Sequence, residues 1–153
     1  MTISVLLVDD HTLFRESVSA LLKATTDFNV VGEAGDGIDA LVMVDHLNPD
    51  VVVLDYMMPG MNGVDIMWWV HKQRPETHVI LLSMHNDDAY VAAAIKNGVS
   101  AYILKEDVVK HLAQAVAAAA AGQRYFSPGL RAMTAHLGIE NIDRNDQNSA
   151  DEK

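Results

Sequence analysis

Short apolar runs alternate with longer amphipathic stretches along most of the chain. The runs are Ile3–Val8, Asn29–Ala34, Val51–Leu54, His78–Ser83 and Ala101–Leu104. Most are rich in Val, Ile and Leu, as in parallel strands covered on both faces. Between them lie stretches of helical length. Leu13–Ala24 offers Leu13, Val18, Leu21 and Leu22 on one side; Ile38–Leu47 offers Ile38, Leu41, Val42 and Leu47; Val64–Arg74 offers Ile66, Met67 and Val70. Asp87–Asn97 carries Tyr90, Val91, Ala94 and Ile95, and Val108–Ala121 carries Val108, Leu112 and Val116, then alanines. These spacings approximate the three-four repeat of a helix with one buried face. Gly98 and Gly122 follow the fourth and fifth helices, while Asn48-Pro49 and Arg74-Pro75 close the second and third. Five strand–helix units in series predict an α/β fold, a doubly wound five-stranded parallel sheet with five flanking helices.

The pattern changes after Gly122. Ser127-Pro128 reads as the start of a short helix, with Leu130, Met133 and Leu137 on one side and Gly138 as its stop. From Glu140 onward the chain is polar, a linker or tail composition. The expected organisation is an α/β domain over 1–122, a short helical extension over 123–139 and a polar linker or tail over 140–153.

Composition narrows the functional classes. Half of the 153 residues are hydrophobic, enough for a sizeable core, and cysteine is absent, so neither disulfides nor thiolate metal sites arise. No apolar run approaches the roughly 18 residues of a membrane span. The first residues lack the basic segment of a signal peptide, so a cytoplasmic protein is expected. The net charge of −10 argues against this chain gripping nucleic acid by itself, because phosphate contacts need clustered Lys and Arg.

Ligands of open parallel sheets bind beyond the carboxyl ends of the strands. Strand one ends in Asp9-Asp10, strand three in Asp55, strand four in Ser83 and strand five in Lys105. Three carboxylates, a hydroxyl and an ammonium are therefore expected at one edge. Converging carboxylates repel, and an oxygen-seeking divalent cation, magnesium, resolves the repulsion. A cation, a lysine and a serine together suit a phosphoryl group, which a carboxylate can attack and hold as an acyl phosphate. The bland reading is that these residues cap the following helices, with Asp10 or Thr12 capping the first.

Leu6-Leu7-Val8-Asp9-Asp10-His11, Asp55-Tyr56-Met57-Met58-Pro59-Gly60-Met61-Asn62-Gly63 and Gly98-Val99-Ser100-Ala101-Tyr102-Ile103-Leu104-Lys105 resemble response-regulator receiver domains over about residues 3–122. Leu82-Ser83-Met84-His85 with Asp87-Asp88-Ala89-Tyr90-Val91 resembles the NarL/FixJ (LuxR-type) branch in particular. The resemblance implies a flavodoxin-like sheet of order 2-1-3-4-5. It implies Asp55 as phosphoacceptor from a sensor histidine kinase. Asp10 would bind magnesium directly, Asp9 mainly through water, and the Met57 backbone carbonyl would be a further ligand. Lys105 would pair with a phosphoryl oxygen and Ser83 would hydrogen-bond the attached group. Tyr102 would turn inward as Ser83 moves. Helix four, strand five and helix five would form the output surface, with helices one and five as a second candidate dimer face in a homodimer formed on phosphorylation.

Some positions depart from the pattern or stay open. Glu106 follows Lys105 where many receivers have proline. Trp68 should point away from the core, as an interface anchor or as a ring lying over its own helix. His85 stands two residues past Ser83, either influencing water access or simply exposed. Gly35-Asp36-Gly37 is a turn without the P-loop pattern, so nucleotide binding is not expected. Haloacid dehalogenase-type phosphatases also use an aspartate nucleophile with magnesium. They need a second aspartate two places on, where this chain has Met57. The expected function is a switch, with self-dephosphorylation rather than enzymatic turnover. Its output is either transcriptional, through a helix-turn-helix DNA-binding domain absent from this chain, or protein binding and phosphorelay by a stand-alone receiver. The family branch and polar tail favour the first.

Overall fold

A computed structural model describes residues 2–84, 86–130 and 134–135. The elements run β1 Ile3–Val8, α1 Thr12–Lys23, β2 Phe28–Ala34, α2 Gly37–Leu47, β3 Val51–Asp55, α3 Gly63–Gln73, β4 His78–Ser83, α4 Asp88–Lys96, β5 Ala101–Leu104, α5 Val108–Ala120 and β6 Tyr125–Phe126. The strands form one parallel sheet of order β2-β1-β3-β4-β5-β6. Alternate strand residues face opposite layers. Val5, Leu7, Val51, Val53, Leu82 and Ile103 pack with Val18 and Leu22 of α1 and Leu112 and Val116 of α5. Leu6, Val8, Val52, Leu54, Leu81 and Tyr102 pack with Ala40 and Val44 of α2, Ile66 and Met67 of α3 and Val91 of α4.

The sheet has six strands among the described residues, not the five expected. Gly122, at φ +81°, turns the chain after α5 and sends it alongside β5. Tyr125 N–H donates to the Ser100 carbonyl at 3.1 Å and Ser127 N–H to the Tyr102 carbonyl at 3.1 Å. The buried Ser127 hydroxyl oxygen accepts from Leu104 N–H at 2.8 Å. Ser127 is thus engaged with β5, and a turn of 3-10 helix, Pro128–Leu130, follows it, with Thr134 and Ala135 helical further on. Met133, Leu137 and Gly138 of the expected helix lie outside the described residues, as do the 140–153 tail and His85.

Two helix faces differ from expectation. Leu13, Ile38, Val42 and Leu47 are exposed. On α2 the buried residues are Gly37, Ala40 and Val44. This helix also packs Leu41 and Met43 partly against the core, while Ile38, Val42 and Leu47 are turned outward. On α3, Ile66, Met67 and Val70 are buried as expected and both tryptophans are exposed. Trp68 meets the Trp69 ring edge-to-face at 4.8 Å, with Lys72 Nζ 5.2 Å from its own centroid. Asp36 and Asn62 cap α2 and α3, accepting from the N–H groups of Asp39 and Asp65 at 2.8 and 3.0 Å. The residue before α1 is His11, and no side chain caps that helix, so neither Asp10 nor Thr12 is used there.

The start of α3 fixes the loop that leaves Asp55. Gly63 N–H donates to the Tyr56 carbonyl at 2.6 Å. A Cβ at Gly63 would stand 2.9 Å from Tyr56 Cα, 3.1 Å from the Asp55 carbonyl oxygen and 2.8 Å from a Leu81 methyl. Two of these contacts are backbone and cannot swing aside. Gly63→Ala should therefore cost about 1–3 kcal/mol of stability by overpacking, read as a lower midpoint in urea unfolding. An unchanged midpoint would refute the close approach.

Candidate functional site

Parallel register decides which side chains meet. Val8 lies beside Leu54, Asp55 beside Leu82 and Ser83 beside Leu104. One residue further along, Asp9 stands next to Asp55, and Lys105 leaves β5 just past Ser83. Asp9, Asp55 and Lys105 continue the alternation that faces α1 and α5. Ser83 and Tyr102 continue the opposite one.

The acidic residues converge as expected. Ligand atoms of Asp9, Asp10, His11 and Asp55 all lie within 4.8 Å of one another. Asp9 and Asp55 are 4% and 2% exposed. Lys105 Nζ stands 3.3 Å from Asp55 Oδ2 and 3.6 Å from Asp9 Oδ2, above the Phe14 ring at 4.8 Å. Asp9 Oδ2, Asp10 Oδ1 and Asp55 Oδ2 are buried atoms without a hydrogen-bond partner. Oxygen donors left open in a concave acidic site suit a hard divalent cation, so the residues present fit magnesium. Met57 N–H donates to Asp55 Oδ1 at 3.3 Å.

Ser83 and Tyr102 are brought together on the other face. Ser83 is buried and hydrogen-bonds the Tyr102 side chain, whose ring is fully buried and meets Tyr56 edge-on at 5.9 Å. The Tyr102 ring lies inward, packed into the core on this face. Burial pushes its phenol up to about 12, so it stays neutral at physiological pH.

Two residues of the site escaped the sequence reading. Arg15 donates from Nη1 to the Asp9 carbonyl and from Nε to Glu33 Oε1 at 3.0 Å, tying the end of β1 to β2. Its place on the first turn of a helix gave no signal. His11 Nδ1 lies 3.3 Å from Asp9 Oδ1, 3.4 Å from Asp10 Oδ1 and 3.9 Å from Asp55 Oδ2. Adjacency to Asp9-Asp10 was the available clue.

The fold and site define a class: an α/β domain presenting a buried aspartate, with acids on one side and a lysine on the other, at the carboxyl edge of a parallel sheet. The family model of the response regulator receiver domain matches residues 5–117. The transcriptional regulatory protein DegU of Brevibacillus brevis is 39% identical over 126 residues, which make up 82% of this chain and 53% of DegU. The chain thus spans about half the length of that relative. A LuxR-family two-component response regulator from Aurantimonas sp. SI85-9A1 superimposes with TM-score 0.85 at 30% identity, covering 92% of this chain and all of that one. The signal receiver domain of NarL from Mycobacterium tuberculosis gives 0.69 at 38% identity, over 76% and 97% of the two chains. The chain belongs to the response-regulator receiver family, and these relatives lie in the branch its sequence resembles. Among the described residues no helix is long and apolar enough to cross a membrane.

Burial raises the Asp55 carboxyl from 3.8 to about 6, helped by the Asp9 charge and opposed by Lys105 and then the Met57 N–H. The folded chain therefore holds this proton more tightly than the unfolded chain. The resulting stability is fully present below about pH 4 and is lost as pH rises through about 6. Asp55→Asn removes the ionisation. In excess chelator at pH 8 it should be more stable than the parent by on the order of 2 kcal/mol, and the gain should shrink by pH 5. Urea unfolding at both pH values checks this, and a gain independent of pH would contradict the assignment.

Proposed function

We propose that Asp55 accepts a phosphoryl group from the phosphohistidine of a sensor histidine kinase, and that the phosphorylated domain switches a surface controlling transcription. The observation that carries this reading is the buried Asp55 carboxylate, with Oδ2 open to the acidic cluster and Lys105 Nζ 3.3 Å away. An Asp55 oxygen forms the new P–O bond as the P–N bond to the donor imidazole breaks, the electron pair leaving with the imidazole. Asp9, Asp10, Asp55 and the Met57 carbonyl would hold magnesium, which supplies positive charge to offset the carboxylates and the incoming phosphoryl oxygens. Lys105 exchanges its carboxylate partners for a phosphoryl oxygen. The Phe14 ring, 4.8 Å from that ammonium, helps keep it aimed at the edge.

Ser83 then hydrogen-bonds the attached group, and its pairing with Tyr102 carries the change to β5. The output surface is α4-β5-α5. Leu13 on α1 and Val109 on α5, 80% and 78% exposed, supply unpartnered apolar side chains for a homodimer through α1 and α5. DNA would be reached through a helix-turn-helix domain outside this chain, a reading supported by the description of DegU as a transcriptional regulatory protein about one and a half times as long. The setting is cytoplasmic. Loss of the phosphoryl group to water returns the same Asp55, so the domain is a switch and not an enzyme acting on a separate substrate.

With magnesium and acetyl phosphate, intact mass should rise by one phosphoryl group, and Asp55→Asn should remain unlabelled. Excess chelator should also stop labelling. Equal labelling of the variant would remove Asp55 from its role, and undiminished labelling in chelator would remove the cation from its own.

A further inference from the structure

His11 sits among the carboxylates but has no part in the mechanism above. Octahedral donors about 2.1 Å from a cation stand about 3.0 Å apart when adjacent and about 4.2 Å when opposite. The separations of His11 Nδ1 from Asp9, Asp10 and Asp55 oxygens, 3.3, 3.4 and 3.9 Å, fall in that interval. The nitrogen is therefore spaced from three anionic oxygens as one donor of a shared coordination shell is spaced from others.

The hydrogen bonding points the same way. Nδ1 can carry only one proton, and Asp9 Oδ1 at 3.3 Å is the one oxygen within its hydrogen-bonding reach. Asp10 Oδ1, 3.4 Å from the same nitrogen, is a buried oxygen without a hydrogen-bond partner, as suits a donor left for a cation. The His11 backbone is pinned separately, its N–H donating to Asp9 Oδ1 at 2.8 Å. The ring is two-thirds exposed, so it covers the cluster from the solvent side, where a cation would otherwise keep water. Asp9 and Asp55, both more than nine-tenths buried, fix the other side.

We propose that His11 supplies a direct Nδ1 ligand when a nitrogen-binding transition ion, zinc foremost, occupies this site, and so tilts its selectivity toward such ions relative to magnesium. The chemistry is that of donor type. Magnesium dehydrates reluctantly and keeps water in place of an imidazole, whereas zinc binds imidazole readily. The cluster then senses which ion is present: an all-oxygen shell for magnesium, a mixed oxygen and nitrogen shell for zinc. This inference rests on the reading that Asp9, Asp10 and Asp55 hold a divalent ion.

The test is calorimetric titration of the metal-free chain with zinc and, separately, with magnesium, for the parent, His11→Ala and Asp10→Asn. His11→Ala should weaken zinc binding by about tenfold or more and magnesium binding by less than about twofold. Zinc held by other histidines is common to both proteins and cancels in the comparison. As a second readout, the His11 Nδ1 resonance in nitrogen-15 spectra should move on adding zinc. An unchanged zinc affinity in His11→Ala, an equal loss for both ions, or a stationary Nδ1 resonance would overturn the proposal. If magnesium binding depends on Asp10 while His11→Ala alters neither ion, only the His11 inference fails. If the parent binds neither ion, or Asp10→Asn binds both as the parent does, the divalent-site reading fails with it.

Discussion

The confinement of like charge at one end of the sheet governs the rest of this molecule. Asp9 and Asp55 are almost fully buried on adjacent strands, and the β1–β3 register holds them side by side. Two unit charges about 4 Å apart interact by about 4 kcal/mol at the effective dielectric of a protein surface. The strands cannot relieve this by separating, because Val5, Leu7, Val51 and Val53 are locked between α1 and α5. Lys105 offsets part of the repulsion but faces both carboxylates at once. The resting site is thus short of positive charge; burial first, and the Asp9 charge after it, hold the Asp55 carboxyl up. A domain in this condition responds strongly to whatever brings charge to the edge, which is the property a switch needs.

The sheet separates the charged site from its readout. Lys105 continues the face toward α1 and α5, while Ser83 and Tyr102 belong to the face toward α2, α3 and α4. Both faces are joined through β5, which carries Tyr102 and leads directly into Lys105. β6 clamps that strand: Ser127 takes the Leu104 N–H, and the Tyr102 carbonyl takes the Ser127 N–H. Tyr125 fastens the clamp to α5, its hydroxyl lying 2.8 Å from His111 Nδ1 and donating to Gln114 Oε1 at 2.6 Å. A shift of β5 therefore has a direct mechanical route to α5 and to the chain beyond it.

The strands and the chemical residues were legible in the sequence, because buried parallel strands are continuously apolar and their carboxyl ends carry the ligands. Asp9, Asp10, Asp55 and Lys105 could be brought together before any coordinates were known. The helix faces were less legible. Ile38 and Val42 are spaced like core residues, but α2 buries Gly37 and Ala40 instead, and Gly37 lies so close to Ile66 of α3 and to Met61 that a side chain would crowd them. Hydrophobic periodicity cannot register contact made by missing side chains. The sixth strand is hard to read because two residues, Tyr125 and Phe126, show no period, and because Ser127 looks like a helix start while its hydroxyl also bonds β5.

The start of α1 shows how far local stability yields to the site. A side-chain cap contributes about 1 kcal/mol to a helix. Asp36 and Asn62 provide such caps on α2 and α3, in loops of similar position. On α1 the candidates Asp10 and Thr12 stand nearby, yet no side chain serves. Capping by Asp10 would turn an oxygen toward the helix N–H groups and away from Asp9 and Asp55. Instead Asp9 Oδ1 accepts the His11 N–H, which satisfies one donor at the helix entrance while its second oxygen stays directed at Lys105. The same loop therefore orders its backbone with one carboxylate oxygen and keeps the others for the cluster. That division of labour explains why consecutive acids stand at the end of β1. One of them organises the turn, and the other is left free for a charge that arrives from outside.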